Sequence, residues 1–248
     1  MASTSICTSD LTSITVRGRD LVKDLIGELS FTEMLYFLSC GRKPDAGQVK
    51  VLDACLVTIM EHGINPSTIV ARLIADTVPD EPQVAIAAGL LGIGGVFAGT
   101  SEQCAAILAE LAREGEGAVR TTAERLLASG QPIPGFGHLH HKPEDPRPAK
   151  LFAVAERAGI KQTHTQLLRK LSAAIDAVKG RHITINATGA IGALMLDIGV
   201  PLAAIRSFSV VARSAGLTAH LLEEKSNPAA RAMWRESRNA VPYVAPKG

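Results

Sequence analysis

Aromatic residues are scarce in this chain: Phe, Trp and Tyr together make up 4% of its 248 residues. The core must therefore be built from Ala, Leu, Ile and Val, which suits closely packed helices. Net charge is almost absent, at +2, so no field able to gather a polyanion is expected. Lys and Arg are scattered rather than striped, which excludes a nucleic-acid footprint. Cysteine is sparse: Cys7, Cys40, Cys55 and Cys104 stand far apart and form no CxxC pair. They read as reduced thiols of a cytosolic protein, three of them in the core. Long apolar runs are missing too. The longest, Val84 to Phe97, is too short to span a bilayer and carries four glycines. No basic region followed by an apolar stretch opens the chain, so no signal peptide is expected. These absences together point to a cytoplasmic protein with no membrane and no nucleic-acid partner.

Apolar residues make up 46% of the chain, enough for one large domain or two lobes sharing a core. Helix signals dominate it. Ser30-Phe31-Thr32-Glu33 is a capping box ahead of Met34, Leu35, Phe37 and Leu38. Gly41 and Pro44 end that helix and begin the next. Its apolar positions recur at helical spacing up to Glu61-His62-Gly63. Gly63 is a natural residue just past a helix end, which would leave His62 in the last turn. Pro66-Ser67 opens a further helix to about Asp76. Val84 to about Gly95 reads as a central helix whose small residues admit close backbone approach. Glu102 to Ala112, Ala118 to Leu127, Pro146 to Ala158, Gln162 to Val178 and Leu202 to Glu224 also read as helices, with a buried segment at Ala190 to Ile198. A turn at about Pro228 and an extended tail from Val241 to Gly248 close the chain. The strand signal is weak everywhere, and the predicted fold class is all-α.

The pattern breaks at Gly130-Gln131-Pro132-Ile133-Pro134-Gly135-Phe136-Gly137-His138, which cannot be helical. A stiff Gly/Pro loop carrying histidines is the first place to look for chemistry. Histidine serves as a neutral donor or as an acid or base near pH 7. Arginine's planar fork fits carboxylates.

Pro134-Gly135-Phe136-Gly137-His138, followed by Asp145-Pro146-Arg147, resembles the PGxGH and DPR signature of the citrate synthase superfamily. Arg17-Gly18-Arg19-Asp20, Asn186 to Pro201 and Ala212-Arg213-Ser214-Ala215-Gly216 resemble further landmarks in that family's order. The likeness is closer still to the citryl-CoA lyase module of ATP-citrate lyase. It rests on Glu61-His62-Gly63, Gly89-Leu90-Leu91-Gly92-Ile93-Gly94, Phe97-Ala98-Gly99 and Asn186-Ala187-Thr188-Gly189-Ala190-Ile191-Gly192. Phe97 stands where citrate synthases carry a histidine.

The resemblance implies a large helical domain, residues 1–97 and 194–248, a smaller helical lobe, residues 98–193, and an active site in the cleft between them. It implies a coenzyme A thioester as substrate, with no metal or redox cofactor, and a homodimer or higher homo-oligomer. His62, His138 and the position of Thr188 would be catalytic. Arg147, Arg213 and Arg231 would bind substrate carboxylates, Arg231 in the site of a partner copy. Pro134, Gly135, Phe136 and Gly137 would cradle the adenine of coenzyme A.

Three departures qualify the likeness. The family's catalytic aspartate aligns with Thr188, whose hydroxyl is no base at neutral pH without activation. Asp197 or Glu144 could substitute, a water held by Thr188 could relay the proton, or the reaction differs. Leu139-His140-His141 replaces a stretch that commonly begins with arginine; His140 and His141 read as a polar rim rather than as metal ligands. The chain is also shortened between His62 and Gly89. The implied activity is cleavage of a citryl-CoA-type thioester to acetyl-CoA and oxaloacetate. The alternatives are a synthase-type acyltransferase and a catalytically silent protein that binds CoA esters or citrate.

Overall fold

A computed structural model describes residues 2–97 and 99–246, together with every side chain in them except those of Val96 and Phe97. Ala98, Lys247 and Gly248 lie outside the described residues, so the Phe97-Ala98-Gly99 landmark and the end of the expected extended tail do too. About 66% of the chain is helical and 4% strand, which makes the fold all-α.

Small strands β1 (Cys7–Ser9), β2 (Ile14–Val16) and β3 (Arg19–Asp20) form an antiparallel sheet in that order. A short π-helical turn, Leu21–Leu25, follows. The helices are α1 (Phe31–Cys40), α2 (Ala46–Met60), α3 (Pro66–Thr77), α4 (Pro82–Leu91), α5 (Gly94–Phe97) and α6 (Gly99–Glu114). After them come α7 (Val119–Ala128), α8 (Pro146–Arg157), α9 (Thr163–Lys179), α10 (Ala187–Asp197), α11 (Ile205–Ser226) and α12 (Ala230–Ala240).

The chain divides into two compact units. One takes the chain up to Cys55 together with Thr100–Ile205; the other takes Leu56–Gly99 with the chain from Arg206 onward.

In the first unit, Ser30 and Glu33 close the expected capping box on α1, and Gly41 ends it in the left-handed region at φ 74°. Val16, Leu25 and Phe37 pack together beneath the small sheet. Helix α10 is buried along most of its length, from Ala187 to Met195, and α8 and α9 lie against it. Gly192 makes that burial tight, because a Cβ there would stand 2.5 Å from the Ser101 carbonyl oxygen. In the second unit, Asn65 caps α3 ahead of Pro66. The expected close approach at Gly89 is present, since a Cβ on it would meet Ala71, Leu217 and the Ser67 carbonyl oxygen at 2.9 Å each. Ala71, Ala85, Leu217 and Leu221 form the core there.

Three readings need correction. The apolar run Val84 to Gly95 is two helices, because Gly92 and Ile93 turn the chain between α4 and α5. The long helix expected from Leu202 begins with a 3-10 turn at Leu202–Ala204. The thiols expected at three core positions are buried only at Cys55 and Cys104, while Cys40 is half-buried and Cys7 exposed.

Candidate active site

The Gly/Pro loop is held in the first unit by main-chain bonds to the segment ahead of α10. Gly137 donates its N–H to the Thr184 carbonyl at 2.8 Å, and Asn186 donates its own to the Gly135 carbonyl at 3.0 Å. Asn186 is the hub of this seam. Its Nδ2 donates to the Gly137 carbonyl at 2.9 Å, while its Oδ1 accepts from Gly189 N at 3.1 Å and from Thr188 Oγ1 at 2.8 Å. The two backbones touch at glycine on both sides: a Cβ on Gly189 would press on the Gly135 carbonyl, and one on Gly135 would sit 2.5 Å from Cys104 Sγ. Gly135 also needs a positive φ of 86°. Burial in this packing pushes the Cys104 thiol up to about 12, so that sulfur is a packing atom. Gly135 and Gly137 are thus both bound to Asn186.

His138 ends the loop with its tautomer fixed. The N–H groups of His140 and His141 both reach its Nδ1 at 3.1 Å. Nδ1 therefore accepts, the ring proton sits on Nε2, and the ring presents a donor. The His141 ring lies 4.3 Å from that of His138, so this histidine packs on its neighbour, while His140 and Leu139 are exposed.

Arg147 stands in the first turn of α8, and its capping aspartate holds it. Asp145 Oδ1 accepts from Arg147 N at 3.0 Å and Nε at 2.9 Å, and Oδ2 accepts from Nη2 at 2.7 Å and from Ala187 N at 3.1 Å. Burial pushes the Asp145 carboxyl up, but the Arg147 bonds and the Ala187 amide outweigh it and hold it below the ordinary range. One edge of the guanidinium, Nε and Nη2, is thus committed within the protein.

Thr188 lies in the first turn of α10. Its Oγ1 gives its hydroxyl proton to Asn186 Oδ1. The two carboxylates considered as substitutes are engaged elsewhere. Asp197 is at the far end of α10, with a fully buried side chain that accepts from His164 N and Nδ1 and from Thr165 N and Oγ1. It caps α9. Glu144 accepts from Thr184 Oγ1 at 2.8 Å and pairs with His182 Nε2 at 2.8 Å. Asp176 on the other ring nitrogen, with Glu144, holds His182 above the ordinary imidazole range.

In the second unit, α2 stops at Met60, so His62 lies two residues beyond the helix rather than in its last turn. Glu61 folds back over this turn: its Oε1 accepts the N–H groups of His62 at 2.8 Å and Gly63 at 2.5 Å. The turn rests on α11 at Gly216, where a Cβ would press on the Met60 carbonyl.

Arg213, one turn earlier on α11, is half-buried, and its Nη1 is buried with no hydrogen-bond partner in the protein. Burial lowers its pKa and the Glu61 charge opposes that shift. A buried, charged donor without an acceptor is costly, and a substrate carboxylate would satisfy it. Arg231 sits apart, on α12, 70% exposed, with its Nε donating to Asp76 at 2.7 Å.

The sequence reading thus names residues that fall into two local groups, one per unit: Pro134 to His138 with Arg147 and Thr188, and His62 with Arg213. Asn186, Asp145 and Glu61 stand in its motifs without a role, and Arg72 and His220 lie outside them. A signal existed for the last of these, because Arg213, Gly216, His220 and Glu224 recur at three- and four-residue intervals, one face of α11.

Known proteins resemble this chain over most of its length. The family described as "Citrate synthase, C-terminal domain" matches residues 27–236. A citrate synthase of Synechocystis is 30% identical over 204 residues, 80% of this chain and 51% of the relative. A citrate/2-methylcitrate synthase of Bacillus subtilis is 28% identical over 88% of this chain and 57% of the relative. The chain spans about half the length of the curated relatives it matches. Among solved structures, the citryl-CoA lyase of Hydrogenobacter thermophilus superposes with a TM-score of 0.89 at 27% identity, covering 100% of this chain and 96% of that one. The citrate synthase of Thermotoga maritima gives 0.69 at 27% identity, over 89% of this chain and 59% of that one. A family match over most of the chain, with the PGxGH and DPR landmarks on one bonded seam, leads to one conclusion: this chain belongs to the citrate synthase family.

Proposed function

We propose that this chain cleaves a citryl-CoA-type thioester to acetyl-CoA and oxaloacetate. The observation that carries the reading is the fixed tautomer of His138, a neutral ring presenting Nε2–H from a loop that its own main chain makes stiff. The likeness to the Hydrogenobacter lyase, with a TM-score of 0.89 against 0.69 for the Thermotoga synthase, supports the lyase over the synthase.

In the proposed reaction His62 takes the proton of the tertiary hydroxyl. The bond between the carbinol carbon and the acetyl methylene breaks, and its electron pair moves onto the thioester oxygen, where His138 Nε2–H stabilises the enolate. Oxaloacetate leaves with its carboxylates held by Arg213 and Arg147. A water on Thr188 Oγ1 returns a proton to the enolate carbon, and the hydroxide left is neutralised through solvent by the proton that His62 took. Pro134 and Phe136 carbonyls contact the adenine. By the family resemblance Arg231 serves the site of a partner copy in a homodimer, and the protein works in the cytoplasm. No metal or redox group takes part.

Oxaloacetate release from citryl-CoA, compared between the parent and His138→Ala, is the direct test; equal rates would end the proposal. Arg213→Gln is expected to raise KM for citryl-CoA by about tenfold to a hundredfold, since a buried carboxylate loses its charged partner. An unchanged KM would remove Arg213 from the substrate site.

Thr188 favours a second reading, a binding protein that makes and breaks no carbon–carbon bond. Exchange of acetyl-CoA methyl protons with deuterated water separates the two. Thr188→Asp, which supplies the carboxylate its relatives carry, is expected to speed exchange at least tenfold over a measurable parent rate. No exchange in the parent and rapid exchange in the variant would support the silent reading instead.

A further inference from the structure

A line of polar side chains runs through the second unit and ends on the His62 turn. Arg72 on α3 is 2% exposed, among the most buried of the large side chains. Glu224 Oε2 accepts from its Nη1 at 2.6 Å, and Glu223 accepts from Nη2. Arg72 Nε also donates to His220 Nδ1 at 3.1 Å. A guanidinium nitrogen has only protons to offer, so His220 Nδ1 must be the acceptor and its ring proton must lie on Nε2. That Nε2 stands 3.0 Å from Glu61 Oε2. The other Glu61 oxygen accepts the two amides of the turn. Burial pushes the Glu61 carboxyl up, but the His220 bond and the two amides prevail, so it stays ionised.

The line ends at Glu61, whose carboxylate holds the main chain of the His62 turn. A packed core has little need of a histidine between an arginine and a glutamate, and a longer apolar side chain would fill α11 at lower desolvation cost. The arrangement instead fixes a direction: Arg72 sets the His220 tautomer, His220 orients the Glu61 carboxylate, and Glu61 sets the main chain of His62 and Gly63. We infer that His220 and Glu61 are positioning residues for catalysis, holding the His62 turn in its working orientation. The inference rests on the proposed role of His62.

The test uses the full chain and citryl-CoA, with oxaloacetate release as the readout. His220→Leu is expected to lower kcat by about tenfold to a hundredfold, the cost of a catalytic group set about 1 Å off line, with KM within about twofold. His220→Gln should return kcat to within about threefold of the parent, because a carboxamide can accept from Arg72 and donate to Glu61 together. A role in packing alone predicts the reverse order, with leucine equal to or better than glutamine. Glu61→Ala removes a surface-facing carboxylate and should match His220→Leu in kcat; it decides the matter if the leucine variant does not fold. His62→Ala is the companion measurement. If it abolishes turnover while His220→Leu and Glu61→Ala keep parent kcat, the inference is overturned and the role of His62 stands. If His62→Ala keeps parent activity, the catalytic reading of that histidine falls, and this inference with it.

Discussion

Replacing His138 with alanine is expected to lower kcat for citryl-CoA cleavage by about 10²–10³-fold, the range seen when one donor to a developing oxyanion is removed. KM should change little. The thioester oxygen carries its full negative charge only as the carbon–carbon bond breaks, so the Nε2–H bond is worth most in the transition state. The variant should keep the loop in place. Gly137 is held by Thr184, and Gly135 by Asn186, through main-chain atoms, and alanine leaves those bonds intact. What it removes is the acceptor for the amides of His140 and His141. The circular dichroism and melting temperature of His138→Ala should therefore stay close to the parent while turnover collapses. Turnover within threefold of the parent, with the fold intact, would show that this ring is not the donor.

What the sequence made legible follows a physical division. Local signals were readable, because they act within a few residues. The Ser30 capping box, the Pro66-Ser67 helix start and the Gly41 helix stop stand where the residues place them. The break at Gly130 to His138 was readable because proline and glycine exclude a helix there.

Signals were lost where tertiary contacts decide. The strands Cys7–Ser9 and Ile14–Val16 are too short for alternation to register. Helix α12 buries Ala230 alone of its residues, and its short apolar stripe of Ala230, Met233 and Trp234 is set among charged residues. The carboxylates show the same limit: Asp197 and Glu144 each accept from partners more than thirty residues away, which spacing along the chain does not reveal. Arg147 shows the subtler case. Its motif was recognised, but motif order says nothing of hydrogen bonds, and Asp145 occupies one edge of the fork. The Arg72–His220–Glu61 line joins α3, α11 and the end of α2, and only the folded chain brings those positions together.

Asp145 therefore carries the other large expectation. Its side chain is fully buried, and it ties the start of α8, through Arg147, to the start of α10, through the Ala187 amide. Asp145→Asn puts an NH₂ where an oxygen now accepts, so at least one donor faces a donor, and the guanidinium of Arg147 loses its counter-charge. Breaking a buried pair from one side costs about 3–5 kcal/mol, and the urea midpoint should fall accordingly. The pH dependence gives an independent check. The folded-state pKa of Asp145 lies below its ordinary value of 3.8, so the unfolded chain binds its proton more readily than the folded one. The stability this carboxylate supplies is complete above that ordinary value and is lost as pH falls through the lower folded value. The parent should lose stability steeply across that acid range, and Asp145→Asn should lose less. Activity should fall as well, because Asn186 and Thr188 flank the amide that Asp145 holds. A variant as stable as the parent at neutral pH, with the same acid slope, would mean that Arg147 and Ala187 find other partners at no cost, and that α8 and α10 are anchored by their apolar faces alone.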